Sequence, residues 1–77
     1  MAVKRLDQLQ PGDTGVVHAI RGGGNVMHRL IDMGLVKGTK ISVVKYAPLG
    51  DPIEIRLKNF ELALRLSEAK TIEVDVD

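Results

Sequence analysis

The second half of the sequence alternates apolar and polar residues with a period of two. In "IEIRLK" (53–58) the apolar side chains all fall on one face, and "TIEVDV" (71–76) repeats the pattern. Strict alternation indicates a strand with one buried face. The segments 40–46 and 61–66 are similar, and "TGVVHAIR" (14–21) is rich in strand-forming residues. Five short strands separated by turn signals therefore predict a mainly β fold, a small antiparallel barrel.

One helix is predicted over residues 25–33, "NVMHRLIDM". Its apolar residues recur at helical spacing, and Asn25 is expected to be the N-cap. Gly34 is expected to take the left-handed conformation that ends a helix, with Leu35 packing back on Leu30. We expect this helix to pack at one opening of the barrel.

The length of 77 residues predicts a single domain over residues 1–77. Residues 4–13 predict one helical turn that stops at Pro11, ahead of the first predicted strand, and residues 67–70 predict a second short helical turn. The chain has no cysteine, which excludes disulfides, thiolate metal sites and a thiol nucleophile. Its apolar runs are far shorter than the ~20 residues that a membrane-spanning helix needs, so we expect that it does not span a membrane.

Charge and side-chain chemistry argue against two function classes. The net charge is +1, with 11 basic and 10 acidic residues, and the aromatic residues are limited to Tyr46 and Phe60. Nucleic-acid binding through charge or base stacking is therefore not expected. No pattern pairs a nucleophile with a base, and no phosphate-binding or dinucleotide motif follows the glycines at 22–24. We expect neither an enzyme nor a bound cofactor.

The loop "YAPLGDP" (46–52) places an apolar residue, Leu49, between two predicted strands. Pro48 and Pro52 restrict the backbone on both sides, and Gly50 allows the chain to reverse. Such a loop loses little entropy when a partner holds it. Two interpretations stay open: Leu49 is displayed for docking, or it folds back and caps the barrel end.

The polar face of the predicted helix carries His28 and Asp32 one turn apart. These residues can ligate a metal ion only if one or two further ligands join them, and His18 is a candidate. A solvated helix face is the ordinary alternative. Arg29 lies near the helix start and Asp32 at its end, which opposes the helix dipole, and an ion pair between the two residues would offset this.

Several motifs resemble one known family. These are "RLIDMGL" (29–35), Gly38, "APLGDP" (47–52), Leu64-Arg65 and the turn at Glu68-Ala69. Together they resemble the ferrous iron transport protein A (FeoA) family over nearly the whole chain. The resemblance implies an SH3-like barrel and a cytoplasmic location. It also implies an accessory role at the membrane ferrous iron transporter FeoB, exerted by binding the transporter and not by catalysis.

We expect the binding surface to combine the loop with the helix end, on the cytoplasmic side of the transporter. Because both segments flank the strand at 40–46, we expect them to meet at one end of the barrel. The expected partner-binding residues are Met33, Leu35, Pro48, Leu49, Gly50, Asp51 and Pro52. A second candidate surface consists of His28, Arg29 and Asp32.

Two alternative functions remain at this point. The first is a metal-sensing regulatory domain, related to the C-terminal domain of metal-dependent repressors, with His28 and Asp32 as ligands. The second is a small-barrel RNA-binding protein. In either case, exposed edge strands allow copies of the chain to pair, so a homo-oligomer is also a candidate.

Overall fold

Six strands form one antiparallel sheet in this computed structural model, which describes residues 2–76. The strands are β1 (Ala2–Arg5), β2 (Thr14–Ile20), β3 (Lys40–Tyr46), β4 (Ile53–Arg56), β5 (Glu61–Leu64) and β6 (Ile72–Val76). They are ordered β1-β6-β2-β3-β4-β5 across the sheet. The helices are α1 (Gly24–Asp32) and α2 (Leu66–Ala69), and a 3₁₀ turn covers Leu6–Gln8. The expected antiparallel β architecture with one longer helix is confirmed.

The first strand is the element that the sequence pattern does not predict. β1 pairs with β6, and all four of its residues are exposed. Because no face of β1 is buried, its sequence carries no alternation to recognise. The 3₁₀ turn that follows matches the expected helical turn, and it buries Leu6 and Leu9 in the core.

The alternating segments provide much of the core. Ile53, Ile55 and Leu57 are at most 5% exposed, as are Ile72 and Val74 on β6. Burying one such side chain stabilises the fold by about 1.5–3 kcal/mol relative to leaving it in water. The residues between them point outward, so the sheet buries the face that the sequence pattern indicates.

A bulge in β2 changes which side chains face the core. The pairing register with β6 shifts between Val17 and Ala19, so one extra residue is accommodated there. Val17 is buried, His18 is exposed and Ile20 is only partly buried. The bulge therefore interrupts the alternation of inward and outward side chains along β2.

Helix α1 begins one residue earlier than expected. Its N-cap is Gly23, which has no side chain to accept a capping hydrogen bond, and Asn25 lies inside the first turn. The prediction of Asn25 as the N-cap is therefore wrong. Neither helix within residues 2–76 is long and apolar enough to cross a bilayer.

The end of α1 follows its sequence signature. Gly34 has φ of +95°, and its N–H donates to the carbonyl oxygen of Ile31 at 2.9 Å. The N–H of Leu35 donates to the carbonyl oxygen of Leu30 at 3.0 Å. These two bonds define a Schellman motif, and both leucines are fully buried, as the predicted packing requires.

Candidate functional site

The loop at 47–52, here called the β3–β4 loop, is closed by its own backbone. The N–H of Ala47 donates to the carbonyl oxygen of Pro52 at 2.9 Å, and the N–H of Gly50 donates to that of Ala47 at 2.7 Å. Gly50 has φ of +85°, which only glycine adopts at little cost. The loop therefore has a defined shape and not merely a short length.

Leu49 lies at the tip of the β3–β4 loop and is 96% exposed. The flanking Pro48 and Pro52 are exposed as well. Of the two open interpretations, the barrel cap is wrong, because the side chain contacts solvent and not the core. A single exposed leucine is common on protein surfaces, but here the backbone beneath it is held in place.

Asp51 joins the β3–β4 loop to α2. Its Oδ1 accepts a hydrogen bond from the N–H of Leu66 at 3.0 Å. Leu66 is the first residue of α2, and the N–H groups at a helix start have no partner within the helix. The carboxylate of Asp51 therefore stabilises both the helix start and the position of the loop.

Glu68 joins α2 to α1. The side chain is buried, and its Oε1 accepts a hydrogen bond from the N–H of Arg65 at 3.0 Å, which caps α2. Its other oxygen, Oε2, lies 3.0 Å from Nη1 of Arg29 on α1. The expected ion pair between Arg29 and Asp32 is therefore wrong, since Arg29 pairs across the fold with Glu68. The sequence reasoning missed this role of Glu68, because the N-cap residue is Arg65 and not one of the small polar residues that mark a helix start.

The end of α1 does not lie beside the β3–β4 loop. The loop enters β4 at Ile53, whereas a Cβ on Gly34 would come within 3.6 Å of Leu57 and 3.8 Å of Phe60. Leu57 and Phe60 follow the opposite end of β4. The expectation that the two segments meet is wrong, because they flank opposite ends of the strands between them.

The two helix-end residues assigned to the binding surface also differ from expectation. Leu35 is fully buried in the core, so it contacts no partner in this conformation. Met33 is partly buried and packs against the core cluster. The β3–β4 loop is therefore the part of the expected surface whose apolar side chain is displayed.

The polar face of α1 presents His28, Arg29 and Asp32 to solvent. His18, the candidate third ligand, is exposed on β2. Within residues 2–76, no three histidine or acidic side chains come close enough together to hold a metal ion. His28 and Asp32 thus stay a pair without a third ligand in the described chain.

Comparison with known proteins gives the family. The model of the FeoA domain matches residues 4–76. The chain belongs to the FeoA domain family. This confirms the resemblance carried by the helix-end and loop motifs, both of which lie inside the matched range.

Relatives of this FeoA domain include a Porphyromonas gingivalis protein described as an Fe(2+) transport protein A/Fe(2+) transporter FeoB fusion. It is 39% identical over 72 residues, which are 94% of this chain and 8% of the fusion protein. The solution structure of Chlorobium tepidum FeoA is 40% identical with a TM-score of 0.88, covering 95% of this chain and 70% of that one. The structure of Stenotrophomonas maltophilia FeoA with zinc, described as an SH3 domain protein, is 31% identical with a TM-score of 0.79 and covers 91% and 87%.

The FeoA domain also shares its fold with a more distant group. A manganese-dependent transcriptional repressor superposes with a TM-score of 0.88 at 19% identity, covering 96% of this chain and 41% of the repressor. At this identity the likeness shows the fold alone.

Proposed function

We propose that this FeoA domain is an accessory binding module of a FeoB-type ferrous iron transporter and that it acts by protein–protein contact on the cytoplasmic side. The fusion relative supports this proposal, because there the two proteins form one chain. A fused domain is held close to its partner at a high effective concentration, which suits a contact of modest affinity.

The observation that carries the proposal is the display of Leu49, which is 96% exposed on a loop closed by hydrogen bonds. Binding energy at interfaces is concentrated in a few anchor side chains that enter a pocket of the partner. A loop that already has its bound shape loses little entropy on docking. Leu49 is therefore the proposed anchor, with Pro48 and Pro52 as its neighbours in the contact.

Gly50 and Asp51 have a different role in this proposal. The backbone of Gly50 forms the reversal, and the carboxylate of Asp51 is engaged by the N–H of Leu66. Both residues shape the β3–β4 loop and do not reach the partner themselves. Substituting them should weaken binding by loosening the loop, whereas substituting Leu49 removes the contact directly.

The test measures binding of the purified domain to the detergent-solubilised FeoB-type transporter from the same organism. We expect Leu49→Asp to weaken the affinity at least about tenfold, because removing an interface anchor costs roughly 2 kcal/mol or more. The matched control is Phe60→Asp, which makes the same apolar-to-acidic change at a residue 49% exposed beyond the other end of β4. Circular dichroism checks that both variants are folded.

We expect the control to bind like the wild type. If Leu49→Asp binds equally well while folded, the contact lies elsewhere on the domain. If Phe60→Asp alone loses binding, the surface lies at the opposite end of β4, near the end of α1. A wild-type domain that does not bind the transporter at all would refute the proposed function itself.

A further inference from the structure

A groove on the surface of the sheet crosses β2, β3 and β4. Its volume is about 430 Å³, and three basic side chains line it: Lys40, Arg56 and Lys58. The apolar residues Val16 and Leu57 line it as well. A groove of this size can hold several side chains of a ligand. Its chemistry, cationic with an apolar floor, differs from that of the β3–β4 loop.

The pairing register explains why the positive charges collect there. Ser42 on β3 lies opposite Arg56 on β4, and Val16 on β2 lies opposite Lys40. Lys58 follows Arg56 by two residues, in the turn that leads from β4 to β5, and it lines the same groove. The groove therefore carries positive charge from the start of β3 and from the end of β4.

Two pairs of charged residues on adjacent strands in this part of the sheet have opposite signs. Lys45 faces Glu54 with an N···O distance of 3.7 Å, and Arg56 contacts Glu61 at 2.6 Å. Lys40 and Lys58 take part in none of the ion pairs formed within residues 2–76. Their positive charges are thus not paired within residues 2–76, and a ligand with negative charge would neutralise them.

We propose that this groove binds an extended acidic segment of a partner protein. Carboxylates of the segment neutralise Lys40 and Lys58, and an apolar side chain packs on Val16. A protein segment fits better than a nucleic acid, because neither aromatic side chain lines the groove and bases would have no ring to stack on.

The groove is separate from the β3–β4 loop. It lies at the Arg56 end of β4, whereas the loop enters β4 at Ile53. The proposal does not depend on Leu49, so the two surfaces can be tested independently. A Leu49→Asp variant should bind an acidic segment as the wild type does.

The test uses a synthetic peptide of alternating glutamate and valine and a matched peptide with lysine in place of glutamate. Binding is followed by amide chemical shifts in two-dimensional NMR spectra at low and at moderate salt. We expect the acidic peptide to shift the amides of Lys40, Ser42 and Lys58 and those of the β3–β4 loop to stay unchanged. The affinity should fall as salt is added, because exposed charges are screened.

Charge-reversal variants give the control. The double variant Lys40→Glu, Lys58→Glu should bind the acidic peptide at least about tenfold more weakly, because each lost attraction becomes a repulsion. The matched control, Lys4→Glu with Lys70→Glu, changes the net charge equally at exposed lysines outside the groove. The affinity of this control variant for the acidic peptide should stay within about twofold of the wild type, because salt screens charges that lie outside the groove.

Four results would overturn the proposal. One is that the lysine peptide binds as well as the acidic one, and a second is that neither peptide binds. Another is that the control variant loses as much affinity as the groove variant. The last is that single-stranded oligouridylate binds the same amides more tightly than the acidic peptide does. None of these results would contradict the proposed contact between Leu49 and the transporter.

Discussion

Gly34 is the residue at which α1 ends, and its φ of +95° lies in the region that favours glycine. An L-residue with a side chain pays roughly 1–2 kcal/mol for such a conformation. There is room for a small side chain, because an added Cβ would meet Leu57 at 3.6 Å, an ordinary contact distance. The cost of a substitution here therefore comes from the backbone and not from a clash.

We predict that Gly34→Ala lowers the free energy of unfolding by about 1–2 kcal/mol. Gly34→Asn should cost less, because asparagine tolerates the left-handed region better than alanine does. Urea denaturation followed by circular dichroism measures both variants. Equal stability of Gly34→Ala and the wild type would mean that the helix end relaxes to another conformation.

Leu35 and Leu49 show what sequence can and cannot reveal about single residues. The sequence assigned both leucines to the binding surface, yet Leu35 is 0% exposed and Leu49 is 96% exposed. The helix-end rule had already predicted that Leu35 packs back on Leu30, so its burial was readable from local chemistry. For Leu49 the loop chemistry was compatible with either outcome, and the tertiary structure was needed to decide.

At the scale of elements, α2 is a helix of four residues whose start is held by two carboxylates, those of Asp51 and Glu68. Glu68 caps its start through the N–H of Arg65 and reaches Arg29 on α1 with its other oxygen. A cap is worth about 0.5–2 kcal/mol. The ion pair is worth only about 0.2–1 kcal/mol, because the Arg29 side chain is 58% exposed and screened by solvent.

We therefore predict that Glu68→Ala lowers the free energy of unfolding by about 0.7–3 kcal/mol, the sum of both contributions. Glu68→Gln keeps an acceptor oxygen for the cap and should lose less than about 1 kcal/mol. A double-mutant cycle with Arg29→Ala isolates the link between the helices. A coupling energy of zero would show that the ion pair between Arg29 and Glu68 does not contribute to stability.

The strands were predictable to different degrees for a physical reason. β4 and β6 each bury one face, so their alternation reports the structure directly. β1 buries no residue, and its existence depends only on pairing with β6. β2 contains a bulge, which exchanges inward and outward positions part-way along the strand. Alternation thus predicts a strand only where burial is one-sided and the pairing is regular.

At the scale of the whole molecule, the two proposed surfaces differ in whether the sequence alone could identify them. The β3–β4 loop is contiguous, so its composition alone made it a candidate. The basic groove combines residues of β2, β3 and β4 with the turn that follows β4, and only the folded sheet brings Lys40 and Lys58 to one groove. Sites assembled from several strands stay hidden in a sequence until the pairing is known.

Tyr46, the residue before the β3–β4 loop, forms a hydrogen bond with a part of the chain that is distant in sequence. Its hydroxyl donates a hydrogen bond to the carbonyl oxygen of Leu9 at 2.6 Å. Partial burial raises the pKa of this phenol above its usual value, and the nearby carboxylates of Asp7 and Asp13 raise it further. The protonated form, which can donate, is therefore favoured by folding.

This shift determines how global stability depends on pH. The folded-state pKa lies above the unfolded value of about 10, so the contribution of Tyr46 is complete below pH ~10 and is lost as pH rises through the folded pKa. We predict that Tyr46→Phe lowers the free energy of unfolding by about 0.5–1.5 kcal/mol at neutral pH. Above pH ~10 the stability of the wild type should fall more steeply than that of Tyr46→Phe, and the two curves should converge.

Urea denaturation across this range of pH measures the stability of both proteins. Because the chain has a single tyrosine, ultraviolet titration reports this phenol alone, and parallel stability curves would show that it ionises alike in both states.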